Sequence, residues 1–257
     1  MIEPGNYDAH THTTFSDGRN TVMENARAAE AAGLEAVVIA DHIWGEIDWL
    51  ERMLAEVAAA DAACKVKVLA GAEGTILNPE GEISVPEAVA QQLDLVLVDF
   101  GGRTRGIGAE PPASARRLMD NVVAAVVNAC RNPLVDGIAH PLNLGRFTAV
   151  LSPVDFGARP LIKMATTFAE TRTAFEIMNQ LPWWFPDHSI ERITNEYADV
   201  LRVFRDYGVG FLLGSDAHSC GAVGNFRWCT RVMALAGIGP EHLVDIPLVG
   251  ERRRGQG

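Results

Sequence analysis

The sequence is poor in cysteine. Cys64, Cys130, Cys220 and Cys229 are widely spaced and form no Cys-x-x-Cys pair. A chain of 257 residues does not need disulfide staples, so these read as reduced thiols, and cysteine is not expected among any metal ligands. Long apolar runs are also missing. No stretch approaches the roughly 18 uninterrupted apolar residues of a membrane helix, and the opening Met-Ile-Glu-Pro-Gly-Asn lacks the basic and then apolar run of a secretory signal. A cytoplasmic location, away from membranes, is expected. Basic residues are scarce: 22 Lys and Arg stand against 33 Asp and Glu, for a net charge of -11. Phosphate backbones are held by clustered cations, so nucleic acid is not expected as the main partner. The one basic cluster, Glu-Arg-Arg-Arg-Gly-Gln-Gly at 251–257, reads as a solvated tail starting at about 250. Finally, no Ser/Gly-rich linker, repeat or low-complexity segment divides the chain, which predicts one domain spanning 1–257.

What is present is a regular alternation of short apolar runs with longer stretches of helical period, the pattern of a parallel α/β sheet or barrel. Tyr7 to His10 reads as a first strand and Thr21 to Ala32 as a helix closed by Gly33. A strand from Glu35 to Ala40 leads to Asp41 and His42, and after a helix over 48–62 the strand 66–70 leads to Glu73. Asn78-Pro-Glu-Gly-Glu has the chemistry of a small hairpin turn, and Val85-Pro-Glu begins a short helix. Further strands are expected at 93–98, 135–139, 174–178 and 209–214, with helices over 113–130, 160–170 and 190–207 between them. A single α/β barrel of about 250 residues accommodates this list.

Residues capable of chemistry concentrate where these strands end, the face on which barrel enzymes build their sites. His10-Thr-His12 places two imidazoles on one side of an extended segment, because side chains alternate with period two. A lone His-x-His is equally what two surface or core histidines look like, and Asp41-His42 or Glu73 alone would carry no weight. The joint pattern decides: His10, His12, His42, His140 and His218, five of the seven histidines, fall at strand ends together with Asp17, Glu73 and Asp216. Imidazole suits zinc, iron and manganese, and carboxylates add hardness and negative charge. A mixed set therefore points to a hydrolytic centre of two or three divalent cations.

The segments Asp8-Ala-His-Thr-His-Thr-Thr-Phe-Ser-Asp-Gly18, Ala40-Asp-His42, Gly71-Ala-Glu73, Ala139-His-Pro141 and Ser215-Asp-Ala-His218 resemble, in order, the motifs of the PHP (polymerase and histidinol phosphatase) family. Phe175-Glu-Ile-Met-Asn179 and Val223-Gly-Asn-Phe are similar to further family segments. The resemblance implies a distorted (β/α)7 TIM-like barrel of the stand-alone phosphoesterase type. It implies up to three metals (zinc, manganese or iron) at the C-terminal ends of the strands, and attack by a metal-bridging hydroxide held by Glu73, Asp216 and His140. By motif, His10, His12, Glu73 and Asp216 would hold one ion, His140 with a bridging Glu73 a second, and Asp17, His42 and His218 a third.

One departure matters. After the strand at 93–98 the family has a histidine ligand near the position of Gly101, and here Asp99 is the candidate substitute. Its alternative role is an ordinary loop carboxylate paired with Arg103. Arg103, Arg105 and Arg146 follow strand ends closely enough to bind substrate phosphate, or are surface arginines. Leu181-Pro-Trp-Trp-Phe-Pro186 and Trp44 either wall the pocket or plug the core. His188 and His242 are not expected to be ligands. The expected activity is phosphoester hydrolysis on a small phosphorylated metabolite or nucleotide. A metallohydrolase of carbon-nitrogen or other non-phosphate bonds, and a metal-stabilised PHP module with little catalysis, stay open. A polymerase-associated role is not expected.

Overall fold

The computed structural model describes residues 5–45, 47–145 and 151–246. Arg146 and the basic tail lie outside them. Strand β1 (Tyr7–Thr11) is fully buried and leads to α1 (Val22–Ala31). That helix starts where the sequence says it should: the Thr21 hydroxyl accepts from Glu24 N while the Glu24 carboxylate accepts from Thr21 N, a reciprocal cap that satisfies two orphan donors. Next come β2 (Ala36–Ile39), a two-residue β3 (His42–Ile43), α2 (Leu50–Ala63) and β4 (Lys67–Thr75). The short α3 (Glu87–Ala90), β5 (Leu95–Asp99), α4 (Ala115–Cys130) and β6 (Gly137–Ile138) form the middle of the chain. It closes with α5 (Ala158–Thr171), β7 (Ala174–Met178), α6 (Ile190–Asp206), β8 (Phe211–Gly214) and α7 (Arg227–Ala236).

The strands pair in parallel in the order β1-β2-β4-β5-β6-β7-β8, with β3 also on β4. The first and last strands meet through Asp216 N donating to His10 O and His12 N donating to Ala217 O, both at 2.9 Å. The result is a nearly closed barrel of seven parallel strands with helices alternating around it, as the resemblance implied. Every residue of β1, β2, β5, β7 and β8 is buried. That explains why β2, β5 and β8 read as nearly continuous apolar runs and not as alternating patterns, while β1 and β7 carry buried polar residues, Asp8, His10 and Glu176.

Three differences from the sequence reading bear on the site. Strand β4 runs to Thr75, well past the expected end at Ala70, because β3 and β5 both pair with its second half and keep it extended. Glu73 therefore sits inside a strand. Strand β6 shrinks to Gly137–Ile138, since the chain turns away at His140, whose φ is +31°. Helix α7 was not anticipated. Its first turn is held non-locally: Asn179 Oδ1, at the end of β7, accepts from the backbone N–H of Trp228 at 2.8 Å. Among the described residues, no helix is long and apolar enough to cross a membrane. All four cysteines are free.

Candidate metal centre

The barrel brings His10, His12, Asp17, His42, Glu73, Asp99, His140, Asp216 and His218 together at the C-terminal ends of its strands. Glu73 is the hub and is 1% exposed. Its Oε2 lies 2.9 Å from His42 Nδ1, 3.2 Å from His10 Nε2 and 3.5 Å from His12 Nε2, and its Oε1 lies 3.0 Å from His140 Nε2. Asp216 Oδ1 stands 3.1 Å from His12 Nε2 and 3.6 Å from His218 Nδ1. At the rim, Asp17 Oδ1 is 3.3 Å from His218 Nε2 and 3.6 Å from His42 Nε2. Asp99, at the tip of β5, joins Glu73 and His140 in a group whose donor atoms all lie within 4.8 Å of one another.

Two observations test whether these donors fit cations. The Nε2 atoms of His10 and His12 are 3.0 Å apart. Two donors on one tetrahedral ion, each at about 2.0–2.1 Å, stand roughly 3.3 Å from each other, so this spacing and those around Glu73 suit lone pairs converging on a shared ion. In addition, His12 Nδ1 is buried without a hydrogen-bond partner. It points toward Asp17 Oδ1 at 4.0 Å, within a second group made of His12, Asp17, His42 and His218. His12 thus borders two clusters, one through each ring nitrogen, a position that spacing in the sequence does not reveal. The donor set fits.

Electrostatics agree with that reading. Burial alone would raise the Glu73 carboxyl, but the charges of His10 and His42 hold it well below the usual range. Asp216 is likewise lowered against its burial, by a hydrogen bond from His12 and the charge of His10. Burial, joined by the repulsion of His10, lowers His12 and leaves it neutral with a lone pair to donate. His10 is itself raised, because Glu176 and Glu73 outweigh its burial, and His42 is raised chiefly by Glu73.

Sequence reasoning missed the groups that hold this set in place. Glu176, inside β7 and fully buried, accepts from His10 Nδ1 at 2.8 Å and from His140 N at 2.7 Å, fixing one imidazole and one backbone. The signal was available: a lone charge in the apolar run Ala174-Phe-Glu-Ile-Met178 needs a buried partner. Gly214 makes room for it, since a Cβ there would fall 1.8 Å from Glu176 Oε1. Asp41 lies outside the cluster and instead ties down the loop that carries Asp17. It accepts from Thr13 N, the Thr13 hydroxyl and the Ser16 hydroxyl at 2.8, 2.6 and 2.6 Å. Asp8 accepts from Ser215 N and Gly224 N, both at 2.9 Å, which locks β1 to the turn carrying Asp216. Its burial pushes its pKa up to about 6.

A cavity of about 300 Å³ opens over the cluster, lined by all its residues except the fully buried His10 and His12, together with Trp44, Thr75, Gly101, Gly102, Arg103 and Trp184. Arg103 is the one cationic side chain among its described lining residues besides the histidines. A stacked column leads to it: His12 on His42 at 4.4 Å, His42 on Trp44 at 4.1 Å, and the Arg103 guanidinium 5.1 Å from the Trp44 ring centroid. Arg105, on the same loop, is exposed and does not line the cavity. The aromatic run divides its roles: Leu181 and Phe185 enter the core, Trp184 lines the cavity, and Trp183 is exposed. His188 and His242 are not in the cluster.

A seven-stranded parallel barrel whose strand ends gather imidazoles and carboxylates able to hold cations defines a class of barrel, and comparison with known proteins specifies it. The PHP domain signature matches residues 8–100. A protein of Photobacterium profundum named a probable phosphatase is 32% identical over 234 residues, covering 86% of this chain and 81% of that one. Another so named, from Acetivibrio thermocellus, is 30% identical over 231 residues, covering 85% and 82%. The chain belongs to the PHP domain family. Its fold is shared with the crystal structure of histidinol phosphate phosphatase from Lactococcus lactis, complexed with zinc, L-histidinol and phosphate. That match has a TM-score of 0.68 at 17% identity, covering 93% of this chain and 95% of that one.

Proposed function

We propose that this protein is a metal-dependent phosphoesterase acting on a small phosphorylated metabolite or nucleotide. The observation that carries the reading is the convergence of four imidazoles on the two oxygens of the buried Glu73 carboxylate, with Asp216 and Asp17 closing the cluster on either side. The relatives named probable phosphatases support it, as does the fold neighbour complexed with zinc and phosphate.

In this reading His10, His12, Glu73 and Asp216 hold one cation, Asp17, His42 and His218 another, and His140 with Glu73 a further one. Bound divalent cations supply a water nucleophile of lowered pKa and neutralise the developing charge on phosphoryl oxygens. The chain's own residues do the rest. Glu73 and Asp216 stay ionised at neutral pH and His12 stays neutral, so these three need no proton removed before binding, whereas His10 and His42, raised by their carboxylate neighbours, release a proton when a cation binds. Glu176 fixes the ring of His10 and the backbone of His140. Arg103, braced on Trp44, faces the cavity with the donors that suit a phosphoryl group. A cavity of about 300 Å³ is at the small end of ligand pockets and suits a metabolite better than a polymer. With water activated by bound cations, no protein nucleophile is required.

The test is elemental analysis of the purified protein together with phosphate release from phosphomonoesters and phosphodiesters, with manganese or zinc added. Two or three cations with turnover are expected. In the metal-loaded His10→Ala and Asp216→Asn variants, turnover should be lost while the far-UV circular dichroism is kept. Bound metal without phosphate release from any ester would overturn the phosphoesterase reading and favour a non-phosphate metallohydrolase.

A further inference from the structure

Of the four donor groups among the described residues, that of His10, His140 and Glu176 is the support described above, and the other three differ in chemistry. The group of His12, Asp17, His42 and His218 has three imidazoles to one carboxylate, and that of His10, His12 and Glu73, joined by Asp216, has two to two. In the group of Glu73, Asp99 and His140 the ratio inverts, with two carboxylates to one imidazole. The fold explains why Asp99 belongs there. Glu73 pairs with Leu97 and Thr75 with Asp99 across the β4–β5 ladder. Paired residues of a parallel ladder share a face and the side-chain period is two, so Glu73 and Asp99 project on the same side of the sheet. Ile76 N donates to Asp99 O at 2.7 Å, which keeps the strand end in register. All three side chains sit at the floor of the cavity, with Glu73, His140 and Asp99 at 1%, 5% and 8% exposure. Gly101, without a side chain, lines the cavity beside them.

We propose that Glu73, Asp99 and His140 form a distinct, harder cation site, which takes an oxygen-preferring divalent ion of the manganese type while the other two groups, with more imidazole, hold zinc. The site deepens the metal-dependent reading above and rests on it. Carboxylate oxygen favours manganese and magnesium, whereas imidazole favours zinc and its neighbours. Zinc outcompetes manganese at most sites in absolute terms, so the property that distinguishes this site is a smaller zinc preference than at the other two. Asp99 sets that preference directly: the amide of Asn offers a neutral oxygen to the same position, and His a nitrogen.

The experiment uses metal-free full-length protein dialysed against zinc at four equivalents per chain with manganese in large excess. It is read by elemental analysis and by the electron paramagnetic resonance of bound manganese. Wild type should hold one manganese beside two zinc ions. Asp99→Asn should weaken manganese binding at least tenfold with its zinc content unchanged, and Asp99→His should exchange the manganese for a third zinc. The proposal is overturned if wild type takes up three zinc and no manganese, or if Asp99→Asn keeps manganese at wild-type affinity. Wild type that binds no cation at all would instead bring down the metal-dependent reading itself. Circular dichroism of each variant separates loss of a ligand from loss of the fold.

Discussion

Glu176→Gln is the substitution with which to ask whether the supports of the site matter as much as the donors. Each Glu176 oxygen now accepts one bond, Oε1 from His10 Nδ1 at 2.8 Å and Oε2 from His140 N at 2.7 Å. Glutamine keeps the shape but only one acceptor, so its amide must face one of the two donors with an N–H of its own. One charge-assisted bond is lost, worth about 1.5–3 kcal/mol in a buried setting. The His10 ring, no longer anchored at Nδ1, is then free to rotate its Nε2 away from Glu73. Removing a partner behind a metal-binding histidine typically weakens the metal about 10–100-fold, or roughly 1.4–2.7 kcal/mol. The assay is competition between the protein and a chromophoric chelator, with activity measured afterwards at saturating metal. Cation affinity should fall within that range, while activity at saturation falls less. Gly214→Ala gives an independent route to the same result, because its Cβ would occupy the position of Glu176 Oε1 with Glu176 still present. Cation affinity unchanged within about twofold in both variants would refute the reasoning.

Arg103→Ala should raise KM for a phosphomonoester about 10–100-fold with a smaller change in kcat, since a charge-assisted bond to phosphate is worth about 1.5–3 kcal/mol. Trp44→Ala, which removes the surface under Arg103, should move KM the same way by less, and a kcat effect alone would contradict both. The pair of Asp61 and Lys67 carries a pH prediction. Partial burial alone would raise Asp61, but the Lys67 ammonium at 2.6 Å and the Val68 N–H outweigh it and lower the carboxyl below 3.8. The stability it adds is therefore present above pH 3.8 and is lost as pH falls through the lower folded value. Asp61→Asn should cost at most about 1 kcal/mol near neutrality and progressively less as the pH falls below 3.8. Urea midpoints measured across that pH range check this, and a gap that does not narrow in acid would contradict it.

The alternation of strands and helices was legible because most strands are buried on both faces, and β2, β5 and β8 write themselves as nearly unbroken apolar runs. The candidate ligands were legible for a related reason. His12, His140, Asp216 and His218 come just after strands, and His10 and His42 lie near the ends of β1 and β3, where a polar residue has no packing role to play. Less legible was everything held from a distance. Glu73 lies inside β4, and only the pairing of β3 and β5 with that half of the strand shows why it is extended there. Glu176 acts on residues 166 and 36 positions away. The placement of His12 between two donor groups depends on β8 closing against β1. Helix α7 is started by Asn179 from another element, so no local cap announces it.

Two of the gathered residues occupy backbone conformations that side chains resist: φ is +31° at His140 and +54° at Asp216. At Asp216 the residue type softens this, because Asp and Asn tolerate the left-handed region, and that is why Asn is the suitable replacement there. Histidine at 140 has less excuse. Its turned backbone ends β6 after two residues and aims His140 N at Glu176 instead of continuing the ladder. Strain of about 1–2 kcal/mol is then offset by a bond to a buried carboxylate, in exchange for bringing the ring onto Glu73. The strain can be isolated by comparing His140→Gly with His140→Ala in metal-free protein. Both variants lose the imidazole and its contact with Glu73, so their difference reports the backbone alone. Alanine is ordinarily the more stabilising of the two, since glycine loses more freedom on folding. Here the order should reverse, with the glycine variant more stable by about 1 kcal/mol in urea denaturation. An alanine variant that is the more stable would mean that the turn at His140 is relaxed, and that Glu176 holds a position the chain would adopt without it.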